Sequence, residues 1–581
     1  MRAPRTGDAQ LTVEPVTRCL YLGVVTGDGT QRRFILGLLA LGYLYVSPYF
    51  PGVNNPNENV RFYMTVALVE EGRYAINTPR REWGWVNDAA KVDGQLYSVK
   101  APGASLMAVP GYAAYLGVLN LFDLPFDRTL ALRICRLTAV VFPALLFLGL
   151  YRRFLIGEVE HAALADSVLL SVGLGSLLYP YGMLLVSHTL AAAAVFGAFA
   201  CLRCLQRDAP DNPRALCFAA GLLSAGVTFF EYPGLICSVA LSALAVWVLR
   251  ARPRLLLPFA AGGLLPTLAM MHFQWSCFGS PWTPGHKFVE TVWLRMQHHQ
   301  GVYGADRIEA EALYGLLIDP GRGLLPMTPI LLLAPLGLLR RLRTPGARAE
   351  AMAASLAVVG TVLAMGAMIN WRGGWSVGPR YLAPIVPLLG WAAVHELQAW
   401  HRRRPAATLV FAVGATLAAL ASSGGIGAYY PHPPPNIELP LRDLLPLLIA
   451  HDFAPSNAAG LLGLYGSASM LPLLLCALAV PVLLLRGHRH AVPLGLAALA
   501  LAGVLLSPAL QEPRRPEAIT RARAYVTGHW HPAGHDRASR LYAQFKRAKG
   551  ARRASIAKKL RHIYRIEGRE RDARALAELE R

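Results

Sequence analysis

Charge is scarce in this chain. Only 16% of its 581 residues are Asp, Glu, Lys or Arg, where a soluble protein carries about a quarter, so a water-soluble globular enzyme is excluded. Acid is scarcer still: 35 Asp and Glu against 57 Lys and Arg leave a net charge of +22. In a soluble chain that excess would point to nucleic acid. In one this apolar it is expected from arginine collecting in cytoplasmic loops and at lipid headgroups, and no nucleic-acid partner is expected. Cysteine is sparse and scattered. Of eight, Cys135, Cys217, Cys237 and Cys476 fall inside apolar runs, and Cys201 and Cys204 form a CxxC with no second pair or nearby histidine to complete a zinc set. The pattern therefore holds no metal set and no cofactor motif, and a divalent-metal requirement stays open. A cleavable signal peptide is also missing, because the first 31 residues are polar and mixed.

What the chain has is apolar length. Hydrophobic residues make up 54% of it and mean hydropathy is +0.37. Apolar runs of about 17–25 residues, enough to cross a bilayer as helix, recur throughout. They predict an all-α polytopic membrane bundle with spans at 34–50, 130–151, 162–179, 182–203, 215–230, 232–249, 255–275, 324–339, 351–369, 381–399, 406–428, 465–485 and 490–508, 13 in all. Ala104–Phe122 is apolar but holds Pro110 and two glycines and has no basic flank on its far side, so it is read as lying in the interface rather than crossing. With it set aside, arginine falls in alternate loops: Arg152-Arg153, Arg203/Arg207/Arg214, Arg250/Arg252/Arg254, Arg340/Arg341/Arg343/Arg348, Arg402-Arg403-Arg404 and Arg486/Arg489. That alternation puts the N-terminus and those loops in the cytoplasm, of a bacterial inner membrane on this reading.

The expected organisation is a cytoplasmic tail over 1–33, a main membrane module over 34–400 that includes the polar loop 51–102, further spans over 401–508, and a basic helical tail over 509–581. The count places that tail outside the cell. Within the loop, Glu58–Glu71 carries apolar residues on a helical repeat and predicts an amphipathic helix on the membrane surface.

Charges at a membrane face are costly unless paired or used, so those of the outer loops are the candidates. They are Glu58, Arg61, Asp88, Lys91, Asp93 and Lys100 in the first loop; His188; Glu231 in Phe-Phe-Glu-Tyr-Pro; His286, Lys287 and Glu290 near Trp282, with Asp319 and Arg322 of the same 276–323 loop; and Arg372, Arg380 and Tyr381. The pattern Asn57-Glu58-x-x-Arg61-Phe62, with Gly72 beyond, and then Asp93-Gly94-Gln95-x-Tyr97-x-x-Lys100-x-Pro102, resembles the first extracytoplasmic loop of the GT-C glycosyltransferases. Lipid A aminoarabinose transferases and protein O-mannosyltransferases are the nearest in pattern. Phrases such as Glu231-Tyr232-Pro233, Phe278-Gly279-Ser280-Pro281 and Gly373-Gly374-Trp375-Ser376-Val377-Gly378-Pro379-Arg380-Tyr381 carry the likeness over roughly 34–400.

The resemblance implies transfer of a sugar from a polyprenyl-phosphate carrier to an envelope acceptor, a glycan, lipid or protein, on the extracytoplasmic face. It implies Glu58 as base with His188 in support. Lys100, Arg61 and Arg380 would clamp the phosphate, and Tyr97, Glu231, His286, Lys287 and Tyr381 would bind substrate. A base is needed because the acceptor hydroxyl sheds a proton as it attacks, and cations because the leaving phosphate gathers charge. Two departures stand out. The family's first Asp falls on Asn57, and Tyr179-Pro180-Tyr181-Gly182-Met183 lacks the acid often found in the second outer loop.

Each candidate also has a plain structural reading. Glu58 and Arg61 can form an i,i+3 pair, Lys100 can snorkel to headgroups, and His188 can bridge helices. The competing functions are a transporter or flippase of lipid-linked sugars, which would show broken helices and charges at mid-membrane, and an inactive glycan-binding envelope protein.

Overall fold

The computed structural model describes residues 29–48, 55–207, 210–511 apart from 436, 451 and 465, 541–566 apart from 543, 546 and 547, and 576–577. The amino-terminal tail up to residue 28 and most of the basic tail expected over 509–581 lie outside those residues. The fold is helical. Its main helices are α1 (Gly29–Tyr45), α2 (Pro56–Glu71), α3 (Gly103–Phe122), α4 (Arg128–Ile156), α5 (Ala162–Gly173), α6 (His188–Arg207) and α7 (Pro213–Phe230). There follow α8 (Tyr232–Leu249), α9 (Pro253–Phe278), α10 (Arg348–Gly366), α11 (Val386–His401), α12 (Pro405–Tyr429), α13 (Ser467–Leu484), α14 (Ala491–Gln511) and α15 (Gly550–Ile566).

Among the described residues ten helices are long and apolar enough to cross a membrane, so this is a multi-pass membrane protein. Of the expected 13, those over 34–50 and 162–179 are helices of only 17 and 12 residues, Gly29–Tyr45 and Ala162–Gly173, two more are broken, and Gly103–Phe122 joins the ten instead. The segment expected over 324–339 is cut into short pieces, Leu324–Met327, Pro329–Leu333 and Ala334–Arg343, with Pro329 breaking the hydrogen-bond ladder. The one expected over 381–399 opens with a 3-10 turn at Arg380–Ile385, before Pro387 allows α11 to start. Lipid would cover the outer helices: Leu257, Leu264, Leu265 and Leu268 of α9 are all exposed. Where α9 meets α7 the backbones touch, and a Cβ on Gly221 would fall 1.8 Å from the Phe259 carbonyl oxygen. Small residues at such crossings allow the close packing that holds membrane helices together.

Helix α3 is one of the ten by length and apolarity, yet its packing is lateral. Thr65 donates to the Ser105 carbonyl (3.0 Å), Tyr112 hydrogen-bonds to Glu70, and Tyr115 donates to the Asp127 carbonyl (3.0 Å). Trp83 of the first loop stacks between Phe62 of α2 and Phe126, which follows α3. The helix thus runs beside α2, and the chain leaves it within the same aromatic layer. Its 29 residues give α4 about 43 Å of length, well over a bilayer core of about 30 Å. The surplus first turns carry Arg136 up to α2.

The basic loops read as cytoplasmic meet at one end of the bundle. Arg203 pairs with Glu158 (2.5 Å) and Glu350 (3.1 Å), Arg207 and Arg341 also reach Glu350, Arg340 pairs with Glu396, and Arg402 with Glu160. The candidate residues lie one helix length away. His188 opens α6 and Arg207 ends it, which is about 28 Å of rise.

Candidate active site

The site starts from a helix with well-marked ends. Asn55 caps α2 by accepting from the Glu58 N–H (3.4 Å), Pro56 occupies the first turn, and Gly72 stops the helix with φ +64°. Between these, Asn57, Glu58 and every residue from Val60 to Ala67 are buried. The expected interface helix is therefore enclosed nearly all round over its first three turns, with its polar end at the exposed Glu70 and half-buried Glu71.

Glu58 does not meet Lys100. Its carboxylate accepts from Arg136 Nε (2.7 Å), Arg136 Nη2 (2.6 Å) and the Leu185 N–H (2.7 Å), and Arg136 donates onward to the Pro48 carbonyl (2.8 Å). Burial would raise the Glu58 pKa, but the Arg136 guanidinium more than offsets it and holds the carboxyl below its ordinary range. Both oxygens are thus engaged by the Arg136 guanidinium, in a buried two-point ion pair. Arg136 was not among the candidates, because nothing local marks a partner 78 residues away.

Nor does Arg61 pair with Glu58. It donates to the Asn57 carbonyl (2.9 Å), the Asn57 side chain and Ser187 Oγ (2.7 Å), and stands 3.4 Å from Glu231 Oε1. Ser187 in turn donates to Glu231. His188 Nδ1 is 3.2 Å from the same carboxylate oxygen, off the line of a good hydrogen bond, and Nε2 has no partner among the described residues.

Lys100 is positioned by a hairpin. Strands Ala89–Val92 (β1) and Gln95–Ser98 (β2) pair antiparallel, with Ala89 opposite Ser98. The turn is Asp93-Gly94, both with positive φ (48° and 76°), the combination a two-residue type I′ turn demands. That register sets Asp88 against Lys100, whose Nζ lies 3.1 Å from Asp88 Oδ2. Burial would raise the Asp88 pKa. Lys100 first, then Arg380 and His286, pull it below the ordinary value. The Asp-Gly pair between two apolar runs was the available signal for the hairpin.

The 276–323 loop clips onto β1. Glu290 N–H donates to the Ala89 carbonyl (2.9 Å), Arg80 pairs with Glu290 (2.5 Å), and Gly285 abuts Val99. His286 is thereby held in the cluster, its ring 5.6 Å from Tyr232 and 4.7 Å from His298. Arg380 lies over the Tyr381 ring (5.2 Å) and donates to its hydroxyl (3.3 Å). Among the described residues it has no carboxylate within 4 Å. Two expected residues fall outside. Lys287 is exposed beside Phe288, and Tyr97 packs edge-on against Phe278. Arg322 is a brace, donating to the carbonyls of Ser376 (2.6 Å), Pro434 and Ile437 (2.8 Å).

Three cations, Arg61, Lys100 and Arg380, thus face two carboxylates, Asp88 and Glu231, with His188 and His286 between. Below them is a narrow cavity of about 10 Å³ lined by His188, Glu231, Gly234, Cys237, Thr361 and Tyr381, room for roughly one water. It lies between α8 and α10, small apolar side chains under a charged rim. No group of three or more His, Cys, Asp or Glu able to hold a metal occurs among the described residues.

No family model matches the chain, and no curated protein does. Solved structures do. The chain is similar to ArnT from Cupriavidus metallidurans bound to undecaprenyl phosphate, at 15% identity and TM-score 0.47, over 90% of this chain and 81% of that one. It is similar to the archaeal oligosaccharyltransferase AglB from Archaeoglobus fulgidus, in complex with an inhibitory peptide and a dolichol-phosphate, at 12% identity and TM-score 0.40, over 68% of this chain and 55% of that one. It is also similar to the arabinosyltransferase EmbB from Mycobacterium smegmatis, at 15% identity and TM-score 0.39, over 86% of this chain and 42% of that one.

Proposed function

We propose that the protein is a membrane glycosyltransferase that moves a sugar from a polyprenyl-phosphate carrier to an envelope acceptor at the extracytoplasmic face of the bacterial inner membrane. The observation that carries this is Arg380, a half-buried guanidinium with no carboxylate within 4 Å among the described residues, in a charged cluster with Lys100 and Arg61. A cation excess in such a place is stabilised by an anion, and a lipid phosphate supplies one.

In this reading the acceptor hydroxyl gives its proton to His188 Nε2 while Glu231 steadies the imidazolium. The acceptor oxygen bonds to the anomeric carbon, the bond from that carbon to the phosphate oxygen breaks, and the carrier leaves as a polyprenyl phosphate. Lys100, Arg380 and Arg61 meet the charge that grows on the phosphate, most strongly in the transition state. Asp88 holds Lys100 in place, and Glu58 keeps a structural part through Arg136. The sidedness rests on the arginine-rich end being cytoplasmic.

The test is envelope glycan mass analysis in a strain lacking the chromosomal copy. Wild type restores the missing sugar, Lys100→Ala and Arg380→Ala do not, and Arg372→Ala, exposed beside Glu311, does. Restoration by both cluster variants at normal protein level would sink the proposal.

A further inference from the structure

We infer that α15 is a docking surface for an anionic envelope polymer, a glycan chain bearing phosphate or carboxylate groups. The acceptor role given to that polymer rests on the transfer reading above. The helix holds no Asp or Glu between 550 and 566. Arg552, Lys558 and Lys559 are exposed on it and Lys549 precedes it, and none of the four has a carboxylate within 4 Å among the described residues. Among the described residues this face is therefore a run of positive charge with no acidic partner.

Its other face is already occupied. Ile556, Ala557 and Leu560 are buried against Phe545 and Leu576, and the Arg553 guanidinium covers the Phe545 ring at 4.6 Å. A helix that lies on a membrane needs a free apolar face to sink into the headgroup boundary. This one has spent that face on its own small core, so a soluble polyanion fits it better than a lipid surface.

Its seat gives the polymer a destination. α15 packs against the turn Asn77–Trp83, where Arg81 is also exposed and Glu82 is the single acid. Trp83 of that turn stacks on Phe62 at 5.4 Å, the residue after Arg61. A strand held along α15 and Arg81 is one packing layer from the charged cluster, and its hydroxyls are the nearest acceptors.

The experiment uses full-length protein in nanodiscs of neutral lipid with fluorescent long-chain polyphosphate as probe. Wild type binds, more weakly as salt rises, and R552A/K558A/K559A binds roughly tenfold more weakly. Alanine keeps helix propensity, and an unchanged circular dichroism spectrum checks that the helix survives. Equal binding by wild type and triple variant overturns the proposal. So does a wild type that ignores polyphosphate but cosediments with phosphatidylglycerol vesicles through these residues. Normal envelope glycans in a triple variant that has lost polyphosphate binding overturn the acceptor role. Failure of the transfer reading is seen separately, in Lys100→Ala.

Discussion

Glu58 and Arg136 give the sharpest test of how the loop is built. Their side chains are 3% and 6% exposed, and two charge-assisted bonds of 2.6–2.7 Å join them. Removing one partner of such a pair leaves a buried charge uncompensated, at a cost of about 3–5 kcal/mol. Glu58→Ala strands Arg136 with only the Pro48 carbonyl, and Arg136→Ala strands the carboxylate with only the Leu185 N–H. Each single variant should lose about that much stability, while the double variant loses clearly less than the sum. The assay is thermal unfolding of purified protein in one detergent, with glycan restoration normalised to folded protein. The pair also has a pH signature. The folded carboxyl titrates below its ordinary 4.5, so its contribution is complete above pH 4.5 and is lost as pH falls through the lower folded value. A Glu58→Gln protein as stable as wild type but without transfer would refute the reasoning and restore Glu58 as the base.

Two further outcomes follow from the same geometry. Burial pushes His432 down to about 4, partly opposed by Glu58, and burial with Lys100 nearby pushes His286 to about 3. The unfolded imidazoles titrate near 6.5, so stability should fall as pH drops from 6.5 toward 4. H286Q/H432Q should flatten that fall in melting curves taken across the range, and an unchanged slope would remove these histidines from the account. Cysteines placed at Gly94 and at Ser555, in a background lacking the exposed native thiols, should both react with an impermeant maleimide applied from the periplasm. Labelling of Gly94→Cys solely from the cytoplasm would invert the topology.

The membrane class was legible because composition and run length respond directly to the bilayer, and the arginine alternation was legible for the same reason. The structure gathers those arginines about Glu158, Glu350 and Glu396 at a single end. The interfacial reading of Ala104–Phe122 came from its missing basic flank, while by length and apolarity the helix is one of the ten able to cross. Span counting failed at Pro329 and Pro384, where an apolar run continues but the helix does not. In the site, His188, Glu231, Arg61, Lys100, His286, Arg380 and Tyr381 were recognisable as charges or polar groups too costly to strand at a membrane face. Their pairing was not. Lys100 belongs to Asp88 through a hairpin register, and Arg61 to Ser187 and Glu231 through a fold spanning 126 and 170 residues. Arg136 was missed because its role exists only after the helices close.

The most direct measurement of the central claim is native mass spectrometry of the purified protein with a polyprenyl phosphate. The account predicts one lipid retained by wild type and lost from K100A/R380A, with Glu58→Gln retaining it. A wild type that retains none, or a double variant that retains it equally well, would contradict the account.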